Sequence, residues 1–232
     1  SEMCIRDRQL SSRLPKGALF HMGVSNTRRC WNMFQLPESV ESACNVGCCG
    51  IDGCVSTLVG ASLVNPDRLC YVVVGDLTFF YDLNSLGNHH IGTNLRVMLV
   101  NNGRGTEFRL GIHHCNVFGD DADKYMAAAG HFGNKSPLLV KHYAEDLGFH
   151  YLSATTKEEF MTALSNFTNP QLSDHSMILE VFTDSKDESE ALYLMSHIQS
   201  DAKGMVRSKL KDAVRNVAGE KGINAIKKIL KK

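Results

Sequence analysis

Two runs, LCYVVV at residues 69–74 and RVMLV at residues 96–100, the second apolar from Val97 on, constrain this chain more than any other feature. A run without polar alternation leaves no face for water. It suits a strand buried on both sides, as in a parallel sheet with helices above and below. The first run leads into Gly75-Asp76, the second into Asn101-Asn102, and Asn102 follows Asp76 by 26 positions. The interval holds a helix, read at 79–86. In such sheets ligands bind beyond the carboxyl ends of the strands, where Asp76 and Asn102 fall. A strand ending in an acid and another ending in an amide can deliver two oxygens to one hard cation. Mg²⁺ commonly takes one carboxylate, one or two neutral protein oxygens and the phosphate oxygens of a ligand. Capping by polar turn residues is the ordinary account of either pair alone; both pairs at this spacing favour a metal–diphosphate site.

The rest of the chain continues the alternation. Strands are read at 18–23, 42–46, 149–153 and 177–182, and helices at 27–34, 50–63, 138–147, 157–167 and 188–198, with a loop over 103–123. Repeated strand–helix units predict an α/β fold, mainly a parallel sheet with helices on both faces. The 232 residues suffice for one substantial core, and 43% hydrophobic and 22% charged residues are ordinary for a globular domain. Formal net charge is zero, which argues for neither nucleic acid nor membrane. The sequence contains no spanning-length apolar run and no leader pattern at its start, so a cytoplasmic location is the default. Cys44, Cys48, Cys49 and Cys54 lack the paired knuckles of zinc sites and read as small thiols packed in a glycine-rich turn.

The two ends differ from the middle. Residues 1–8 (SEMCIRDR) carry no structural pattern and resemble a translated adapter, so they are read as a non-native leader, with a domain over 9–200. Residues 203–232 hold ten Lys/Arg against Asp212 and Glu220, with Ile223, Ile226, Ile229 and Leu230 at helical spacing. This basic helical tail, assigned to 201–232, either docks its apolar stripe on the domain or meets an anionic membrane; docking is the preferred reading.

The segment from Gly75-Asp76 to Asn101-Asn102 resembles the signature of thiamine diphosphate-dependent enzymes, in their cofactor-diphosphate domain. Three stretches draw the likeness towards the menaquinone-pathway synthases that join decarboxylated 2-oxoglutarate to isochorismate: GVSNTRR at 23–29, the segment ending GIDG at 45–53, and GDLTFFYDLNSL at 75–86. The resemblance covers residues 19–182. It implies a thiamine diphosphate-binding fold in which Asp76, the Asn102 side chain and the Arg104 carbonyl hold Mg²⁺. Gly50, Gly75, Leu77 and Thr78 would meet the cofactor, and Ile51 would hold it bent, so that its own aminopyrimidine can deprotonate the thiazolium carbon. Ser25 and Arg29 match positions that contact substrate carboxylates, a task suited to the planar guanidinium fork. The implied reaction is decarboxylation of a 2-oxoacid followed by transfer of the acyl anion.

Two residues depart from the family pattern. Val46 stands where the synthases have a substrate-binding arginine, and Glu107 where they have an apolar residue near the thiazolium. Both turn the expectation towards a pyruvate-like donor, or an acceptor bearing hydroxyls. His113 and His114, on the loop after Asn101-Asn102, are further substrate candidates. His89 and His90 are read as diverging on a helix and forming no metal pair. Asp82 and Asn84 are read as local hydrogen-bonding residues, and Asp120, Asp121 and Asp123 as a solvated acidic loop.

The family's activating glutamate lies in a separate pyrimidine-binding domain, normally across a dimer interface, and the 44 residues before Asn45 cannot hold one. That domain is expected upstream or in a second subunit, the complete enzyme is expected to be a homo-oligomer, and the chain alone is expected to be inactive. The cofactor subunit of a two-chain sulfopyruvate or phosphonopyruvate decarboxylase, and a non-catalytic module keeping the fold, remain open alternatives.

Overall fold

Burial with a period of two organises the centre of the molecule. In the computed structural model, which describes residues 2–47, 49–110, 113–125 and 136–196, these residues form one six-stranded, all-parallel sheet. Its strands are β1 (Leu19–Met22), β2 (Glu41–Cys44), β3 (Cys70–Gly75), β4 (Leu95–Asn101), β5 (His150–Ala154) and β6 (Met177–Phe182), in the order β2-β1-β3-β4-β6-β5. Tyr71 and Val73 of β3, with Met98 and Val100 of β4, join one core; Val72, Val74, Val97 and Leu99 join the other. Burying such a side chain contributes roughly 1.5–3 kcal/mol. The expected α/β architecture is the one found.

Helices α1 (Glu2–Ser11), α2 (Asn26–Trp31), α7 (Lys157–Phe167) and α8 (Ser185–Ser196) cover the first core. Helices α3 (Cys54–Leu63), α4 (Asp76–Asp82) and α6 (Leu139–Asp146) cover the second. The short helix α5 (Ala122–Tyr125) follows two 3-10 turns, Thr106–Arg109 and His114–Asp121, so the expected loop has local structure. Helix α7 is closed by a capping box, Thr156 accepting from the Glu159 amide and Glu159 accepting from the Thr156 amide.

Several local expectations change: the helix read from 50 begins only at Cys54, that read to 34 ends at Trp31, and that read from 188 begins at Ser185. The helix after β3 starts at Asp76 rather than 79, because the Asp76 carboxylate accepts from the Leu77 amide at 2.8 Å and engages the first turn early. Residues 2–11, read without structure, form α1. Its buried Arg6 donates to Asp7 at 2.8 Å and to Glu188 of α8 at 2.7 Å, so polar pairing replaces part of the apolar stripe that would signal a helix. His89 and His90 lie exposed in a turn, not on a helix, with ring centroids 3.8 Å apart, so they stand side by side rather than diverging.

The thiols of the turn reading are held locally: Cys44 donates to the Gly23 carbonyl, Cys49 to Val46 and Cys54 to Gly50. No helix among the described residues is long and apolar enough to cross a membrane. The basic segment 203–232, Ile198, Cys48 and the side chains of Asp120 and Asp123 lie outside the described residues.

Topology opens the place for a ligand. From β1 the chain passes to β2 on one side, and from β3 to β4 on the other, so a crevice forms at the carboxyl ends of β1 and β3. Gly23 lets the end of β1 approach β3 closely. Its amide donates to the Val73 carbonyl at 2.7 Å, and a Cβ there would meet that oxygen at 3.1 Å. Asp82 accepts from the Ser56 amide at 2.7 Å and the Ser56 hydroxyl at 3.0 Å, tying the end of α4 to the first turn of α3. Asp82→Ala should cost about 1.5–3 kcal/mol in urea unfolding, since the lost bonds are charge-assisted. An unchanged midpoint would show that this tie contributes nothing.

Candidate functional site

The floor of the crevice is built around a buried carboxylate. Gly75 pairs with Val100 in the β3–β4 register, which sets Asp76 beside Asn101 and Asn102. Asp76 is only 2% exposed. Its Oδ1 accepts from the Leu77 amide; its Oδ2 accepts from the Asn102 amide at 3.2 Å and the Gly103 amide at 2.5 Å. Gly103 has φ of +84°, a left-handed conformation that glycine adopts without strain and that turns its amide towards the acid. The Asn102 Oδ1 accepts from the Arg104 amide at 3.2 Å, so the acid and the side-chain amide are both oriented by backbone.

A residue the sequence reading passed over braces this floor. Glu180, in the middle of β6, is 1% exposed and accepts from Asn101 Nδ2 at 2.8 Å and Tyr151 Oη at 2.6 Å. Burial, with a smaller contribution from the Asp76 charge, raises its carboxyl above the ordinary range. The signal was a single acid in the otherwise apolar run MILEVF.

The donors suit a hard cation better than a soft one. Asp76 offers one carboxylate and Asn102 one neutral oxygen, while among the described residues no cluster of three His, Cys, Asp or Glu is placed to hold a metal. One carboxylate with neutral oxygens matches a Mg²⁺ whose remaining positions go to water and ligand phosphate. The cleft above has room for such a ligand. It spans about 780 Å³ including its open mouth, and a Cβ added at Gly75 on its wall would meet nothing within 4 Å. Leu77, Thr78, Asn102, Arg104 and Ile51 all line it; Gly50 is not part of the lining.

At the other end of the cleft the turn after β1 is stitched to the segment after β4. Arg29 donates to Glu107 Oε1 at 2.7 Å and to Asn26 Oδ1 at 2.9 Å. Asn26 donates to the Thr106 hydroxyl at 2.7 Å, and the Ser25 hydroxyl donates to Glu107 Oε2. Ser25 reaches the carboxylate from φ 63°, ψ −131°, a strained conformation for a residue with a Cβ. Burial alone would raise the Glu107 carboxyl. The hydrogen bonds from Ser25 and Arg29, with the charges of Arg29 and His113, outweigh it and hold the group below its ordinary value.

The remaining candidates sit apart from the cleft lining. His113 stands edge-on to Phe108 with centroids 5.1 Å apart, and its Nδ1 accepts from the Cys115 amide. His114 is exposed, as is Val46 at 44%. Asn26 and Thr106, which complete the stitch, were not singled out from sequence. Only the fold brings them together, since they are 80 positions apart.

The sequence of this chain aligns with curated enzymes over most of its length. It is 34% identical over 179 residues to 2-succinyl-5-enolpyruvyl-6-hydroxy-3-cyclohexene-1-carboxylate synthase of Bacteroides fragilis, covering 77% of this chain and 31% of the relative. The same-named enzyme of Phocaeicola vulgatus is 35% identical over 182 residues, and that of Christiangramia forsetii 34% over 185, covering 77% and 80% of this chain and 30% of each relative. The chain belongs to the family of these synthases. It spans about a third of their length. The likeness to the thiamine diphosphate-dependent synthases read from residues 19–182 is thus upheld. No family model matches the chain.

In this synthase relative, the Glu107 ion pair should leave a mark on acid stability. Its folded pKa lies below the unfolded one, so its contribution is complete above about pH 4.5 and is lost as pH falls through the lowered folded value. Glu107→Gln should flatten that part of the melting-temperature profile. An acid slope identical in both proteins would mean the pair does not form in solution.

Proposed function

We propose that this chain is the cofactor-diphosphate-binding part of a thiamine diphosphate- and Mg²⁺-dependent enzyme that decarboxylates a 2-oxoacid and joins the remaining fragment to an acceptor. The observation that carries the reading is the convergence of Asp76 and Asn102 at the floor of a cleft at the sheet's switch point. Membership of the synthase family supports it. A pyrimidine-binding domain, from further sequence or a second subunit, would complete the site, in a homo-oligomer.

Asp76, the Asn102 side chain and the Arg104 carbonyl would hold Mg²⁺, and Leu77 and Thr78 would meet the diphosphate at the start of α4. When bound, thiamine diphosphate would supply a thiazolium carbon as nucleophile towards the 2-oxo carbon and a cationic ring to take up the electron pair released as CO₂ leaves. This chain's residues bind and orient. Asp76 is held by amides before any cation arrives, so little reorganisation is needed on binding. Ile51 presents an apolar surface to the cleft, fixed because α3 is tied to α4 through Ser56 and Asp82.

Two substitutions separate these roles in the full-length protein. Asp76→Ala should abolish Mg²⁺-dependent binding of thiamine diphosphate in calorimetry, because it removes the only carboxylate assigned to the cation. Undiminished affinity would sink the metal assignment. Ile51→Ala should leave cofactor affinity nearly intact and lower kcat by about tenfold or more, the pattern of an interaction that matters in the transition state. Weakened cofactor binding with unchanged kcat would make Ile51 a packing residue only.

A further inference from the structure

Arg29 and Ser25 form an anion clamp by geometry alone. A guanidinium and a hydroxyl converge on the two oxygens of a single carboxylate, and the hydroxyl and the carboxylate both line the cleft. That carboxylate belongs to the chain itself. Glu107 comes from the segment after β4, 78 positions beyond Arg29, and reaches across the mouth to take both donors. Asn26 fixes Arg29 from behind, and the Asn26–Thr106 bond brings the two segments together one residue before Glu107. Ser25 holds a strained backbone conformation while making its half of the contact, so the arrangement is paid for locally. The pair is also accessible: the Arg29 and Glu107 side chains are 33% and 29% exposed, and Glu107 lines the cleft.

We propose that Glu107 is a specificity-determining residue that occupies the Ser25–Arg29 clamp as an internal carboxylate and so excludes a substrate carboxylate from that end of the cleft. This inference rests on the reading of the cleft as the substrate site. An incoming carboxylate would have to displace Glu107 from Arg29 and then lie beside a second negative charge, now unpaired and partly buried, which is strongly unfavourable. A neutral, hydroxyl-bearing group meets no such penalty. It can donate to a Glu107 oxygen while the ion pair stays intact, because each carboxylate oxygen accepts more than one hydrogen bond. The substrate portion that fills this end is therefore uncharged and hydroxylated.

The test is calorimetric titration of the full-length protein with succinate, beside Glu107→Ala, Glu107→Gln and the double variant Glu107→Ala/Arg29→Ala. Removing the internal carboxylate should tighten succinate binding roughly ten- to a hundredfold, the range of a charge-assisted contact. Glu107→Gln, closest in shape, should shift affinity in the same direction and serves if the alanine variant melts early. The double variant should lose the gain. Equal succinate affinity in the native and both single-variant proteins, or a gain that survives loss of Arg29, would overturn the proposal. Titrating Mg²⁺ and thiamine diphosphate into the same samples keeps the two readings apart. If the cofactor binds and the succinate arms do not separate, the Glu107 inference fails alone. If the arms separate and the cofactor does not bind, the cofactor reading fails alone.

Discussion

A buried carboxylate is tolerable only when its charge is answered, and in this protein the answer to Asp76 organises the whole carboxyl end of the sheet. Three backbone amides, from Leu77, Asn102 and Gly103, converge on it. That convergence requires β3 and β4 to be adjacent, parallel and in the register that sets Gly75 opposite Val100. It requires a left-handed turn at Gly103 and a helix that begins immediately after β3. Without these, an uncompensated buried charge would cost several kcal/mol. The same set of bonds that makes the acid tolerable also fixes both of its oxygens at the floor of the cleft.

The opposite end of the cleft follows a different logic. Arg29 and Glu107 are a partly exposed pair, and such pairs contribute little to stability on their own. Their weight lies in position: with Ser25, Asn26 and Thr106 they join two segments across the opening. One end of the cleft is thus rigid and oxygen-rich, and the other is closed by a charge pair that sets what can enter. The relatives named as synthases are about three times as long as this chain.

Much of this was legible in the residues. The continuous apolar runs announced strands buried on both faces, and their polar ends announced where a ligand would sit. The limits of α7 and β6 match their sequence readings: α7 has a capping box to mark its start, and β6 is an apolar run of strand length broken only by Glu180. The start of α4 was read late because Asp76 was considered as a ligand and not as the acceptor for its own helix's first amide. Helix α1 was missed because its inward side carries Arg6 and Asp7, and a paired buried charge looks like surface in a sequence.

What the sequence determined by itself is the class of the fold, since it depends on short-range pattern: apolar runs of strand length, each ending in a small set of polar residues. What only the tertiary structure decided is how distant charges are shared. Glu107 reads in sequence as an added negative charge near the reaction centre. In the folded chain it is the partner of Ser25 and Arg29, residues 82 and 78 positions away. Glu180, which has no role in the sequence reading, becomes the brace for Asn101. The pairing of a charge depends on distance in space, and spacing along the chain does not encode it until the sheet order has brought the strand ends together.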